Sequence, residues 1–390
     1  MNPLLERLGG NPLAAIQDLK LRLGAQGVAL HDFSVGDPIE PTPDAVRNAL
    51  VSGVPTVSQY PTVAGLRELR EAVAGWVLRR FGVTVDPDRE VLPTSGSKEA
   101  IFHLPFGIVD PASPKRATIW GTPGYPIYAR GALYAGGDSD PVTLTDQTGW
   151  RLRLGELDRA RLDRAAIAWL NTPHNPTGSV LGHEELRDAL ATARAHGVVL
   201  ASDECYADVY PGSAQPASLL EAADGDMTGV VVAFSCSKRS GMTGYRSGAL
   251  VGDAGLLDAQ RVLRRDTGSA SPEFVQRAAV AAWSDDAHAA ERRAGFEAKA
   301  EVVRGFLAEQ RMAVRGDATF YLWVAAPGGD DHHYAEALLR HGVVVTPGRA
   351  FGEAGIGWIR LALVPTVDGC HAAVAQWAQA IRAGALPGHG

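Results

Sequence analysis

Short β-branched runs alternate with amphipathic helical stretches through much of this chain, and that alternation limits the folds open to it. The runs are Ala117 to Trp120, Ala166 to Leu170, Val198 to Ala201, Val230 to Phe234 and Gly248 to Val251. Between them lie patterns such as GHEELRDALATARAHG, whose apolar residues recur at helical spacing and which stops on Gly197. Strands alternating with helices imply βαβ units and a mostly parallel sheet. Ligands in such sheets collect beyond the carboxyl ends of the strands. From Pro272 the pattern changes. One long helical stretch to Gln310 leads into the short apolar runs TFYLWV and IGWIRLAL. The sequence therefore predicts an α/β protein: a large domain over 35–271, and a smaller α+β domain built from 1–34 and 272–390.

Composition narrows the function classes. A length of 390 residues suits two or three domains, and 46% hydrophobic residues suffice for a sizeable core. The 44 acidic residues outnumber the 37 lysines and arginines, so nucleic-acid and membrane-surface binding are not expected. Three cysteines, Cys205, Cys236 and Cys370, give an odd count without a CxxC pair. A disulfide framework or structural zinc site is not expected, and a reducing compartment is. The N-terminus lacks a basic segment followed by an apolar one, and no run approaches the roughly 18 uncharged apolar residues of a membrane helix. The expected location is the cytoplasm. In GGDDHH, Asp330, Asp331, His332 and His333 offer metal-ligand types, but adjacent ligands on a glycine loop read as a solvated turn.

Five motifs sit at predicted strand ends or helix starts. The run SCSKRSGMTGYRSG follows the apolar GVVVAF and places Lys238 between small hydroxyl residues, with Arg246 eight residues on. Ser235, Ser237 and Arg246 suit a phosphate, and Lys238 suits a Schiff base; a surface lysine is the plainer alternative. TSGSKEA opens a helix at Ser97 and Lys98, where backbone N–H groups either hold an anion or simply cap. GTPGYPIY places Tyr125 where it would stack on a flat ring or cover a turn. NTPHNPTG carries Asn175, an amide donor for a phenolate or a turn residue. The strand GVVLASDECY ends on Asp203 with Tyr206 behind it; a carboxylate there needs a partner, either a protonated pyridine or a structural cation. Arg360, in GIGWIRLAL, wants a carboxylate on its apolar strand.

Taken in order, the Asn-Pro-Thr-Gly loop, the D-E-x-Y strand end, S-x-S-K-x3-M-T-G-x-R-x-G and the late arginine resemble the class I/II aminotransferases, pyridoxal phosphate (PLP) enzymes of fold type I, from about Val35 to Arg360. One departure is that Asn171 is followed by Thr-Pro rather than Pro. The resemblance implies a fold type I large domain with a seven-stranded, mostly parallel sheet. It implies that Lys238 is the Schiff-base lysine and general base, that Asp203 pairs with the pyridine nitrogen, and that Tyr206 and Asn175 bind the ring oxygen. Tyr125 would stack on the ring. Ser97, Lys98, Ser235, Ser237 and Arg246 would hold the phosphate. Arg360, helped by the Gly36 backbone in SVGDP, would clamp the substrate carboxylate. Tyr60 in QYPTVAGLRELR would reach the phosphate of a neighbouring subunit, which implies a homodimer with shared sites.

The phrases FSVGDPIEPTPDAV, TSGSKEAIFHLP and TPGYPIY are most similar to the N-succinyldiaminopimelate and LL-diaminopimelate aminotransferases of lysine biosynthesis. The expected reaction moves an amino group from glutamate to N-succinyl-2-amino-6-ketopimelate, with Lys98 facing a distal anionic group. An aspartate or broad-range aminotransferase and a PLP cysteine-S-conjugate β-lyase are the alternatives. A PLP-binding transcription regulator would need a DNA-binding domain ahead of the extended segment, where only about thirty residues are expected to stand.

Overall fold

The computed structural model describes residues 3–8 and 13–389. Residues 1, 2, 9–12 and 390, all assigned by the sequence to the smaller domain, lie outside the described residues. Seven strands form the large sheet: β1 (Val91–Thr94), β2 (Ala117–Thr122), β3 (Asp138–Thr143), β4 (Ala165–Asn171), β5 (Val199–Asp203), β6 (Val230–Ser235) and β7 (Gly248–Gly252). Their order is β1-β7-β6-β5-β4-β2-β3, and only β7 runs antiparallel to its neighbours. Every residue of β6 is buried, as a parallel strand covered on both faces must be, which is why its sequence is one unbroken apolar run.

The five apolar runs form strands. Two further strands carry no such run. β3, DSDPVT, is an edge strand with a proline and no buried residue, so no alternation marks it. β1 is only four residues long and also contains a proline, Pro93.

A second sheet of four antiparallel strands is ordered β10-β11-β9-β8, from β8 (Val314–Arg315), β9 (Tyr321–Ala325), β10 (Thr346–Pro347) and β11 (Trp358–Ala362). Its core includes Phe306, Leu322, Ile359 and Trp377, and it also takes in Ile16, Leu19 and Phe33 from the N-terminal segment. The long stretch after Pro272 is two helices, Glu273–Ser284 and Ala287–Glu309. Asp285 is extended and accepts from the Ala287 N–H at 2.8 Å, so the break is a local side-chain cap that an unbroken helical pattern hides. The first of these helices packs Ala278, Ala279, Ala282 and Trp283 into the core of the large sheet.

GGDDHH is not a solvated turn. Asp330 caps the helix Asp331–Arg340 by accepting from the His332 and His333 N–H groups at 3.1 and 3.2 Å. Asp331 is fully buried and pairs with Arg349 at 2.8 Å. Among the described residues no cluster of metal-ligand side chains occurs, and no helix is long and apolar enough to cross a membrane.

Candidate active site

Strand register brings the motifs together. Asn171 on β4 lies opposite Asp203 on β5, Asp203 lies opposite Ala233 on β6, and Ser235 and Thr94 both lie opposite Gly248 at the start of β7. The carboxyl ends of β1, β4, β5 and β6 therefore share one edge of the sheet, where a doubly wound fold binds ligands. A cavity of about 430 Å³ opens there, within the usual range for a small-molecule site. Ser97, Lys98, Tyr125, Asn175, Asp203, Tyr206, Ser235, Ser237, Lys238, Arg246, Gly36 and Arg360 all line it. Tyr60 does not: it is fully exposed, outside the cavity of its own chain.

Lys238 stands on a single helical turn, Cys236–Arg239, capped by the Ser235 hydroxyl, which accepts from the Ser237 N–H at 3.1 Å. Its Nζ donates to the Gly36 carbonyl oxygen. Burial, helped by Arg360 and Arg246 and opposed by Cys205 and Asp37, pulls the amine below the ordinary lysine pKa. A neutral amine is what a nucleophile or general base requires.

At one end of the cavity, glycines let the anion-binding parts meet. Gly96 has φ +81°, and a Cβ there would fall 2.6 Å from Arg246 Nη2. A Cβ on Gly248 would fall 2.5 Å from the Phe234 carbonyl and 3.1 Å from Ser97 N. Arg246 itself has φ +59°, a left-handed conformation that costs a non-glycine residue energy and gathers at functional sites. It donates to the Thr243 carbonyl at 2.9 Å. Lys98 is exposed and forms no hydrogen bond or ion pair within the described residues.

At the floor, Asp203 is buried, and burial raises its pKa despite hydrogen bonds from Tyr128 and Cys205. The Tyr128 hydroxyl donates to Asp203 Oδ2 at 2.7 Å and the Cys205 N–H to Oδ1 at 3.2 Å. Asn171 donates to the Asp203 carbonyl at 2.8 Å, and its Oδ1 accepts from the Asn175 N–H at 2.9 Å, so Asn171 braces both neighbours.

At the other end, Arg360 donates from Nη1 to Asn175 Oδ1 at 2.9 Å and from Nη2 to the Ser34 carbonyl at 2.7 Å. Its Nε is buried without a partner. Tyr321 and Phe351 sandwich the guanidinium at 4.3 and 4.6 Å. Tyr321 also shares a hydrogen bond with Tyr206 at 2.9 Å, and its hydroxyl sits where a Cβ on Gly36 would fall, 2.1 Å away. The segment 34–37 can lie this close only because residue 36 has no side chain.

Sequence reasoning missed Tyr128, Tyr321, Phe351 and the bracing role of Asn171. Tyr128 stands three residues after Tyr125, one helical turn on, in a motif already singled out. Tyr321 and Phe351 come from a different sheet and a loop, and no local pattern joins them to the site.

The residues present fit PLP. A buried acid with no cation paired to it among the described residues suits a protonated ring nitrogen. An arginine-and-serine cradle held by Gly96 and Gly248 suits a phosphate, and a lysine of lowered basicity lies in the same cavity.

The comparisons agree. The family model for aminotransferase class I and II matches residues 29–376. The LL-diaminopimelate aminotransferase of Desulforudis audaxviator is 36% identical over 370 residues, 90% of this chain and 91% of that protein. The 4-dedimethylamino-4-oxo-anhydrotetracycline transaminase of Streptomyces rimosus is 35% identical, over 94% of this chain and 98% of that one. An aminotransferase crystal structure from Neisseria meningitidis superposes with a TM-score of 0.89 at 32% identity, covering 97% of this chain and 99% of the other. The chain belongs to the class I and II aminotransferases, fold type I enzymes that depend on pyridoxal 5′-phosphate.

Proposed function

We propose that this aminotransferase acts on amino and keto acids with the diaminopimelate skeleton, taking the amino group from glutamate. The observation that carries this is the charge layout of the cavity. Arg246 and Arg360 mark two separate anion sites, and Lys98 adds an unpaired cation. Phosphate, substrate α-carboxylate and a distal carboxylate would each meet one. The names of several relatives at 32 to 36% identity support the LL-diaminopimelate form. The N-succinyl form is a second reading: besides Lys238, three cations, Lys98, Arg246 and Arg360, line the cavity against one carboxylate, Asp203, and succinylation replaces a distal ammonium with a further carboxylate.

PLP, when bound, supplies the electron sink for the α-carbanion. Lys238 Nζ takes the proton from the substrate α-carbon and delivers it on, and its lowered pKa keeps it able to do so. Asp203 would hold the proton on the ring nitrogen. Asn175 and Tyr206 would bind the ring oxygen, Tyr125 would cover the ring, and Ser97, Ser235, Ser237 and Arg246 would hold the phosphate; all of them line the one cavity. Arg360 orients the substrate, an entropic contribution. Gly36 lends its backbone to the same end of the cavity and gives Lys238 a resting acceptor.

The proposed unit is a homodimer. Tyr60 is fully exposed beside Val51, Val54 and Val57, themselves more than half exposed, and this segment would carry Tyr60 to the phosphate of a second copy.

The test is a panel of amino acceptors with glutamate: tetrahydrodipicolinate-derived ketopimelate, its N-succinyl derivative and oxaloacetate. The proposal expects the first two to outrun oxaloacetate, and Lys98→Ala to narrow that margin. Equal rates for oxaloacetate, or an unchanged margin in the variant, would refute the distal-anion reading.

A further inference from the structure

We propose that Tyr128 is a positioning residue for Asp203: its hydroxyl fixes the carboxylate rotamer and holds it in the charged form that faces the cofactor ring. The inference rests on the assignment of Asp203 to the ring nitrogen and extends it by one residue.

Three observations carry it. Tyr128 is only 2% exposed, on the helix Ile127–Tyr134, and its hydroxyl donates to Asp203 Oδ2 at 2.7 Å. Its ring cannot swing away. It stacks on Trp169 with centroids 5.1 Å apart and planes 24° apart, and meets Tyr125 edge-on at 5.8 Å. Trp169 lies on β4, beside the strand that ends on Asp203, so the ring that the donor stacks on and the acceptor stand on adjacent strands of one sheet.

The surroundings give that hydroxyl unusual weight. The titratable groups facing Asp203 are Tyr125 and Tyr128 from the helical segment, Cys205 from its own loop and Tyr321 from the small sheet. None of these is a cation, and Asp203 forms no ion pair among the described residues. A buried carboxylate without a cation is costly, and hydrogen bonds to its charged form are the remaining means of holding it ionised. The Cys205 N–H, at 3.2 Å, is the longer of the two. The Tyr128 hydroxyl therefore carries most of that burden and leaves the remaining lone pairs of the carboxylate for the ring N–H.

Removing it has a definite sign. Without the hydroxyl, Asp203 keeps its own proton more readily and shares less charge with the ring nitrogen. A less positive ring makes the lysine-linked nitrogen more basic, so the pH midpoint of the cofactor absorbance moves up.

The experiment compares wild-type holoenzyme with Tyr128→Phe, Trp169→Phe and Asp203→Asn. Absorbance is titrated with pH, and PLP affinity is measured by reconstitution of the apoenzyme. Tyr128→Phe is expected to raise the midpoint by about one pH unit and weaken PLP binding about tenfold, the equivalent of one hydrogen bond to a charged group. Trp169→Phe keeps an aromatic face against the Tyr128 ring and the hydroxyl on Asp203, and is expected to lower the melting temperature with an unchanged midpoint. An unmoved midpoint in Tyr128→Phe, or an equal shift in Trp169→Phe, would overturn the proposal. If Asp203→Asn also left the spectrum and affinity untouched, the fault would lie in the assignment of Asp203 itself.

Discussion

Arg360 Nη1 donates to Asn175 Oδ1 at 2.9 Å, so a residue of the small sheet and a residue of the loop after β4 meet across the cavity. The two lie 185 residues apart in sequence. The contact ties the substrate end of the site to the end of the large sheet, and it leaves Arg360 Nε free.

Replacing that arginine tests the orientation it provides. Arg360→Ala is expected to lower kcat/KM for dicarboxylic amino acids by about a hundredfold, the size of a lost charge-assisted pair, with most of the loss in KM. Arg360→Lys should recover little, because an ammonium cannot hold Asn175, Ser34 and a carboxylate in one plane. Steady-state kinetics on both variants checks this.

The network behind Lys238 should matter for stability. Asp208 is buried and accepts from Arg239 at 2.7 Å, Arg80 at 3.1 Å and Trp76 Nε1 at 3.2 Å. Burial opposes its ionisation, but Arg239 and then Arg80 outweigh it and hold the carboxyl below the usual range. Asp208→Ala takes from the buried Arg239, next to Lys238, one of its two carboxylates, leaving Asp286 at 2.8 Å, and takes from the buried Arg80 the one carboxylate it meets among the described residues, and is expected to cost roughly 3–5 kcal/mol. Because the folded-state pKa is depressed, the wild-type contribution is present above the unfolded value near 3.8 and is lost as pH falls below it. Urea melts of both proteins at neutral and acid pH measure the cost and its loss.

Glu204 should give the opposite pH dependence. It is almost fully buried, with Oε2 unpartnered and Oε1 accepting from Ser202 Oγ and the Leu219 N–H. Burial pushes its pKa up to about 7 from an ordinary 4.5. The folded protein thus binds this proton more tightly than the unfolded chain. Its stabilising effect is complete below pH 4.5 and is lost as pH rises through about 7. Glu204→Gln, neutral throughout, is expected to flatten that decline, and melting temperatures from pH 5 to 8 would show it.

The strand ends were legible because burial on both faces writes an apolar run, and the residue that stops the run lands at the sheet edge. Asp203 and Ser235 are legible in this way, and register brings both to one edge of the sheet. What stayed hidden depends on contacts between distant segments. Tyr321 packs against Gly36, and Phe351 lies over Arg360, with nothing in either neighbourhood to announce it. The edge strand Asp138–Thr143 was hidden because solvent on its flank removes the need for apolar residues. GGDDHH misled for the converse reason: Asp331 looks like a surface residue until Arg349 is brought onto it from the loop that follows β10.

If Lys238 moves the α-proton in a PLP-dependent amino transfer, the cofactor absorbance of the purified holoenzyme must respond to glutamate alone. The wild-type spectrum is expected to convert to that of the aminated cofactor and to revert with a keto acid, while Lys238→Ala, loaded with PLP, shows no conversion. A wild-type spectrum unchanged by glutamate and by every other amino acid, or a conversion at the wild-type rate in Lys238→Ala, would contradict it.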